Sequence, residues 1–85
     1  MPGKRIDDLP DHTVQGLWEA HSAGEIAAED ALDDVIVRAA GVLADKGYWM
    51  WFFTAASEDG SFWRDLDGNY WVVDAETGDI RAWGT

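Results

Sequence analysis

The stretch Lys46-Gly47-Tyr48-Trp49-Met50-Trp51-Phe52-Phe53, KGYWMWFF in one-letter code, is where the hydrophobic period of this chain changes. Before it, apolar residues recur every three to four positions, the spacing of one helix face. After it they come in short runs bounded by Gly and Asp, the pattern of strands and tight turns. A strand with one wet face alternates, and Tyr48 to Phe53 does not: all six residues are large and apolar. The run is therefore a core strand, a membrane anchor or a docking surface. As a strand over 48–54 it places Trp49, Trp51 and Phe53 on one face and Tyr48, Met50 and Phe52 on the other. Apolar on both sides, it is predicted to be a central strand.

Upstream, residues 1–10 form a loose arm that ends at Pro10. Asp11 is a suitable N-cap, and Val14, Leu17, Trp18 and His21 follow at i, i+3, i+4 and i+7, predicting a helix over 11–23 with Gly24 at its C-cap. A second stripe of Ala28, Leu32, Val35, Ile36, Ala39 and Leu43 predicts a helix over 27–46 that stops at Gly47. Gly16, Ala39, Ala40 and Gly41 are small enough for the two helices to approach closely. Downstream, strands are predicted at 48–54, 61–64, 69–74 and 79–84, joined by SEDGS (57–61), DLDG (65–68) and AETG (75–78). Turns this short imply antiparallel neighbours. The expected fold is α+β: a single domain over 11–85 in the order ααββββ, two helices on one face of a three- to four-stranded meander.

Composition limits the function. The chain has 85 residues, a net charge of −11 and 47% hydrophobic residues, too apolar for a disordered acidic tail. Its eleven aromatics bring ~2,000 Å² of surface to bury and are the main hydrophobic resource of so small a domain. No cysteine is present, which removes disulfides and thiolate chemistry. No apolar run approaches the ~20 residues that span a bilayer, and acidic neighbours repel anionic headgroups, so the membrane reading of KGYWMWFF fails and a cytoplasmic protein is expected. Between Arg5 and Arg38 nine acids stand with no Lys or Arg, and seven more lie between Glu58 and Asp79 against Arg64 alone. Phosphate backbones are repelled by such a surface. Either it attracts a basic protein or it serves solubility alone.

The motifs that carry chemistry are weak. Asp65, Asp67, Asn69 and Glu76 occupy positions 1, 3, 5 and 12 of a calcium loop, but Tyr70 stands where the sharp turn needs Gly, and a strand through 69–74 carries Glu76 away from Asp65. His12 and His21 lack zinc-ligand spacing. No nucleophile elbow, triad or phosphate loop is present, so no catalytic residue, metal or cofactor is assigned and an enzyme is not expected. Two surfaces remain. One is the acidic side of the second helix, Glu29, Asp30, Asp33 and Asp34, where i,i+4 repulsion of ~0.2–0.5 kcal/mol per pair is tolerated. The other belongs to the last hairpin. A four-residue AETG loop sets Asp74 opposite Asp79, Val72 opposite Arg81 and Tyr70 opposite Trp83, unless a bulge at Gly78 shifts the pairing by one. Trp71, Val73, Ile80 and Ala82 then face the core. Tyr70, Val72, Arg81 and Trp83 face outward, aromatics beside Arg, the composition of interface centres.

The block AEDALDDVIVRAAGVLAD, WMWFF and GNYWVVDAETGDIRAWGT resembles small bacterial toxin-immunity proteins of the YrhB-like kind. The residues that carry the likeness are Trp51, Phe52, Phe53, Gly68, Asn69, Val73, Asp74, Thr77, Gly78, Gly84 and Thr85, over roughly 28–85. The chain lacks a strand expected between helix and WMWFF and a Pro after GN. The resemblance implies a non-catalytic inhibitor that binds a toxin. The expected function is thus an acidic protein that occludes a basic partner, a toxin or a nucleic-acid enzyme, by carboxylates in place of phosphates and aromatics as anchors. The alternatives are a homodimer formed through the aromatic sheet face and, more distantly, a small-ligand or calcium-binding domain.

Overall fold

The computed structural model describes residues 12–26 and 31–84. The expected arm over 1–10, the cap Asp11, Ala28 and the acids Glu29 and Asp30 lie outside the described residues. The element order is α1 (Val14–Ser22), α2 (Ala31–Asp45), β1 (Phe52–Ser57), β2 (Gly60–Arg64), β3 (Tyr70–Asp74) and β4 (Ile80–Ala82). The strands form one antiparallel sheet in the order β1-β2-β3-β4. This is the expected ααββββ arrangement.

Both helices end in the same way. Gly24 and Gly47 take φ of 77° and 86°, a region costly for any residue with a Cβ. Beyond α1, Gly24 N–H donates to His21 O and Glu25 N–H to Ala20 O. Beyond α2, Gly47 N–H donates to Ala44 O and Tyr48 N–H to Leu43 O. These are paired 5→2 and 6→1 bonds, which satisfy the last carbonyls of each helix.

The α2 cap begins the departure from a strand at 48. Tyr48, its amide spent on Leu43, opens a turn that runs to Trp51, and the Trp49 and Trp51 carbonyls point at the start of α1. Val14 N–H donates to Trp51 O and Gln15 N–H to Trp49 O, each at 2.9 Å. Thr13 caps α1, its Oγ1 accepting from Gly16 N–H at 3.0 Å. The first turn of α1 thus finds partners for its free amides in the apolar run and in its own cap. The Tyr48 and Trp51 rings, three residues apart, stack at 4.3 Å and 8° instead of pointing to opposite faces.

The strand therefore begins at Phe52, and it is an edge, not the centre. Phe53 N–H donates to His12 O, and Thr13 bridges Phe52, so the segment before α1 covers the edge that β2 leaves open. The centre of the sheet is β2 and β3. Trp63 and Ser61 are fully buried there, and the Trp63 indole N–H donates to Ser61 Oγ at 2.7 Å. Phe53, Ala56, Val73 and Ile80 share that face with them and pack against Val14, Leu17, Ile36, Ala40 and Leu43 of the helices. A bulge falls at Thr54, between the Phe53–Trp63 and Ala55–Phe62 pairs, and not at Gly78. Gly60 has a packing reason of its own: a Cβ there would stand 2.6 Å from Val73 O.

The apolar stripe of α2 is turned relative to the expected one. Asp33, Ile36, Val37, Ala39, Ala40, Leu43 and Ala44 are buried, while Leu32, in the first turn, is 41% exposed. The close helix approach is realised at Gly41, where a Cβ would lie 3.1 Å from Trp18 Cζ3.

Candidate docking face of the sheet

Because residues paired across neighbouring strands share a face, the register fixes what the helix-free side of the sheet presents. Val72 pairs with Phe62 on one side and Arg81 on the other; Arg64 pairs with Phe52 and Tyr70; Trp83 N–H donates to Tyr70 O. Tyr70, Val72, Arg81 and Trp83 are thus brought together as expected, and Asp74 N–H donates to Asp79 O in the expected register. Phe52, Phe62 and Arg64 join them. Phe52 reads from the sequence as part of a face with Tyr48 and Met50, and the partnership with Arg64 becomes visible only when β1 and β2 are paired back from the turn at 58–59.

The face is aromatic and open. Phe52, Tyr70 and Trp83 are 38%, 45% and 58% exposed. Phe62 and Trp83 meet edge to face at 5.1 Å, and the Arg64 guanidinium lies 5.6 Å from the centre of the Phe52 ring. Arg81 reaches Asp74 at 3.4 Å. This pair is solvated and contributes little to stability; the β3–β4 register is what sets Arg81 beside Val72. Two of the four Lys and Arg residues within 12–84 thus sit on one face of a chain whose net charge is −11.

Carboxylates gather at the two ends of the sheet. The β1–β2 and β3–β4 turns lie together, joined by Ala75 N–H donating to Asp59 O at 3.0 Å, which gathers Glu58, Asp59, Asp74, Glu76 and Asp79 at one end. Asp74 organises its turn: Oδ1 accepts from Glu76 N–H at 2.8 Å and Thr77 N–H at 3.0 Å. The Thr77 and Glu76 amides, with a smaller contribution from Arg81, hold its carboxyl below the ordinary aspartate value. At the opposite end Asp65 accepts from Trp71 Nε1–H, Asp67 N–H and Asn69 N–H, each at 2.9 Å. The Trp71 indole is the largest cause of its lowered pKa, and the amides of Asn69 and Asp67 add to it. DLDGN is thus a turn closed on the Asp65 carboxylate. Glu76 lies at the far end of β3 from it, and no group of three His, Asp or Glu that could hold a metal occurs among the described residues.

On the acidic side of α2 the structure corrects the placement of Asp33. Asp33 is 7% exposed and belongs to the buried stripe, in the first helical turn where the dipole favours a carboxylate. Asp34 is exposed and bound to Arg38 at 3.2 Å. Arg38 also donates to Ala75 O, tying α2 to the acidic turns. Of the two described acids, Asp33 is therefore not on the outer side of the helix and Asp34 is there but paired, while Glu29 and Asp30 lie outside the described residues. No helix of the described residues is long and apolar enough to cross a membrane. No protein-family model, curated protein or solved structure matches the chain.

Proposed function

We propose that this chain is a non-catalytic binding protein that occludes a basic protein partner through the helix-free face of its sheet. A toxin or a nucleic-acid enzyme is the partner class, in keeping with the resemblance to immunity proteins. The observation that carries the reading is the placement of Phe52, Phe62, Tyr70, Val72 and Trp83 on one open surface with Arg64 and Arg81 among them. Aromatics and Arg are the side chains that dominate binding energy at interface centres. The five carboxylates at the joined turns supply a rim that steers a basic surface toward that centre. Support for a phosphate-mimicking helix is weaker, because Asp33 is buried and Asp34 is paired.

A second copy of the chain is the alternative occupant, favoured by the same open aromatics and opposed by the mutual repulsion of two chains of charge −11. Salt separates the two. Raising it from about 0.1 M to about 1 M shortens the screening length from ~10 to ~3 Å, which weakens a basic partner and strengthens a self-dimer. The test is capture from host extract on immobilised wild type and on a Tyr70→Ser/Trp83→Ser variant. A basic protein held by wild type at low salt, and lost by the variant and at high salt, is expected. Equal retention on both proteins refutes the reading.

A further inference from the structure

On the helix side, α1, α2 and the 48–51 turn border a shallow open groove of about 970 Å³. Trp18 and Trp49 flank it, each a little over one-third exposed. Gly41 lets the Trp18 indole lie directly against α2, and a side chain there would take the space the ring occupies. The groove carries a larger share of basic side chains than the chain as a whole. Arg38 and Lys46, two of the four Lys and Arg within 12–84, line it with His21, against Asp45 as the one acid among its described lining residues. Arg38 is committed to Asp34 and Ala75, but the Lys46 ammonium has no ion-pair partner among the described residues. His21 Nδ1 is shielded from water and has no hydrogen-bond partner among them either, a polar group in the wall with unused bonding capacity.

The geometry points to this groove as a binding site for a small aromatic monocarboxylate, its ring against Trp18 and Trp49 and its carboxylate toward Lys46. Aromatic walls supply the apolar contact that such a ligand's body needs, and a free ammonium supplies the one charge that it requires. Polyanions fit less well, since each further negative charge meets the field of a chain with seventeen acids. The site is separate from the sheet face and does not depend on what docks there.

The test is a titration of the full chain with 2-naphthoate, followed by the indole N–H resonances in NMR, with Trp18→Phe and Trp49→Phe variants used for assignment. Saturable shifts at Trp18 and Trp49, with Trp83 unmoved, are expected. Both 2-naphthylmethanol on the wild type and 2-naphthoate on Lys46→Gln are expected to bind about two- to fivefold more weakly, the worth of one exposed ion pair. The exposed Lys46 side chain is not part of the core, and the neutral probe needs no variant at all. Absence of saturation, shifts centred on Trp83, or equal affinity for the neutral probe overturns the assignment.

Discussion

Replacing Ser61 by alanine removes one hydroxyl from the centre of the sheet and leaves the Trp63 indole N–H with nothing to donate to. Both residues are fully buried, and the bond between them is 2.7 Å long. The net worth of such a bond is about 1 kcal/mol, but stranding a buried donor costs its full desolvation, about 1–3 kcal/mol. A chain of this size has roughly 4–13 kcal/mol of stability in total, so the loss is a large share. At about 4–8 °C per kcal/mol, a loss of ~2 kcal/mol lowers Tm by roughly 8–16 °C. Trp63→Phe removes the donor along with part of the ring and adds a cavity cost of a few kcal/mol. The two changes are therefore expected to be non-additive: in the double variant, Ser61→Ala costs less than it does alone, by about 1 kcal/mol or more. The assay is urea unfolding of the wild type and three variants, read by fluorescence and circular dichroism. Ser61→Ala within about 0.5 kcal/mol of wild type, or full additivity, refutes the placement of this pair at the core.

Gly60→Ala is expected to cost about 1–3 kcal/mol in the same assay, because the new methyl meets the Val73 carbonyl at 2.6 Å; a neutral result contradicts the β2–β3 register. Thr13→Ala removes the acceptor for Gly16 N–H and is expected to cost about 1 kcal/mol, with Thr13→Ser recovering most of it. Asp65 and Asp74 have folded pKa values below their unfolded ones, so their contribution is full above about pH 4 and is lost as pH falls through the folded values. Protonation of the other acids relieves repulsion and acts in the opposite direction, so the comparison is with an Asp65→Asn/Asp74→Asn variant. Wild type is expected to lose its stability advantage over that variant as pH falls below about 4, and a constant difference contradicts the assigned turns.

The order and type of the elements were legible because the two periods and the turn residues agree. The β3–β4 register followed from one loop length, and that placed Tyr70, Val72, Arg81 and Trp83 correctly. What was not legible depended on partners distant in sequence. KGYWMWFF is the most apolar run, yet its first half is shaped by backbone bonds to two helix ends, and hydropathy carries no trace of them. The true centre, GSFWR, is quieter in the sequence: one Trp beside a Ser whose hydroxyl satisfies the indole, with Arg64 at its edge. A wheel drawn on Leu32, Val35 and Ile36 puts Asp33 outward, whereas the buried stripe runs through Ile36, Val37, Ala40 and Ala44 and leaves Leu32 exposed. Phe62 and Arg64 reach the outer face through their pairing with Val72 and Tyr70, and Phe52 through Arg64, with the bulge at Thr54 breaking the alternation that would carry the β1 register from the 58–59 turn to Phe52.

The most direct test of the sheet face as a docking surface is site-specific photo-cross-linking in host cells. Tyr70, 45% exposed and set between Arg64 and Trp83, is replaced by p-benzoylphenylalanine, a ring of similar width, with Ala31 on α2 as the control position. A cross-link from position 70, but not from position 31, to a basic protein other than this chain is expected. A cross-link to a second copy, or none from position 70, contradicts it.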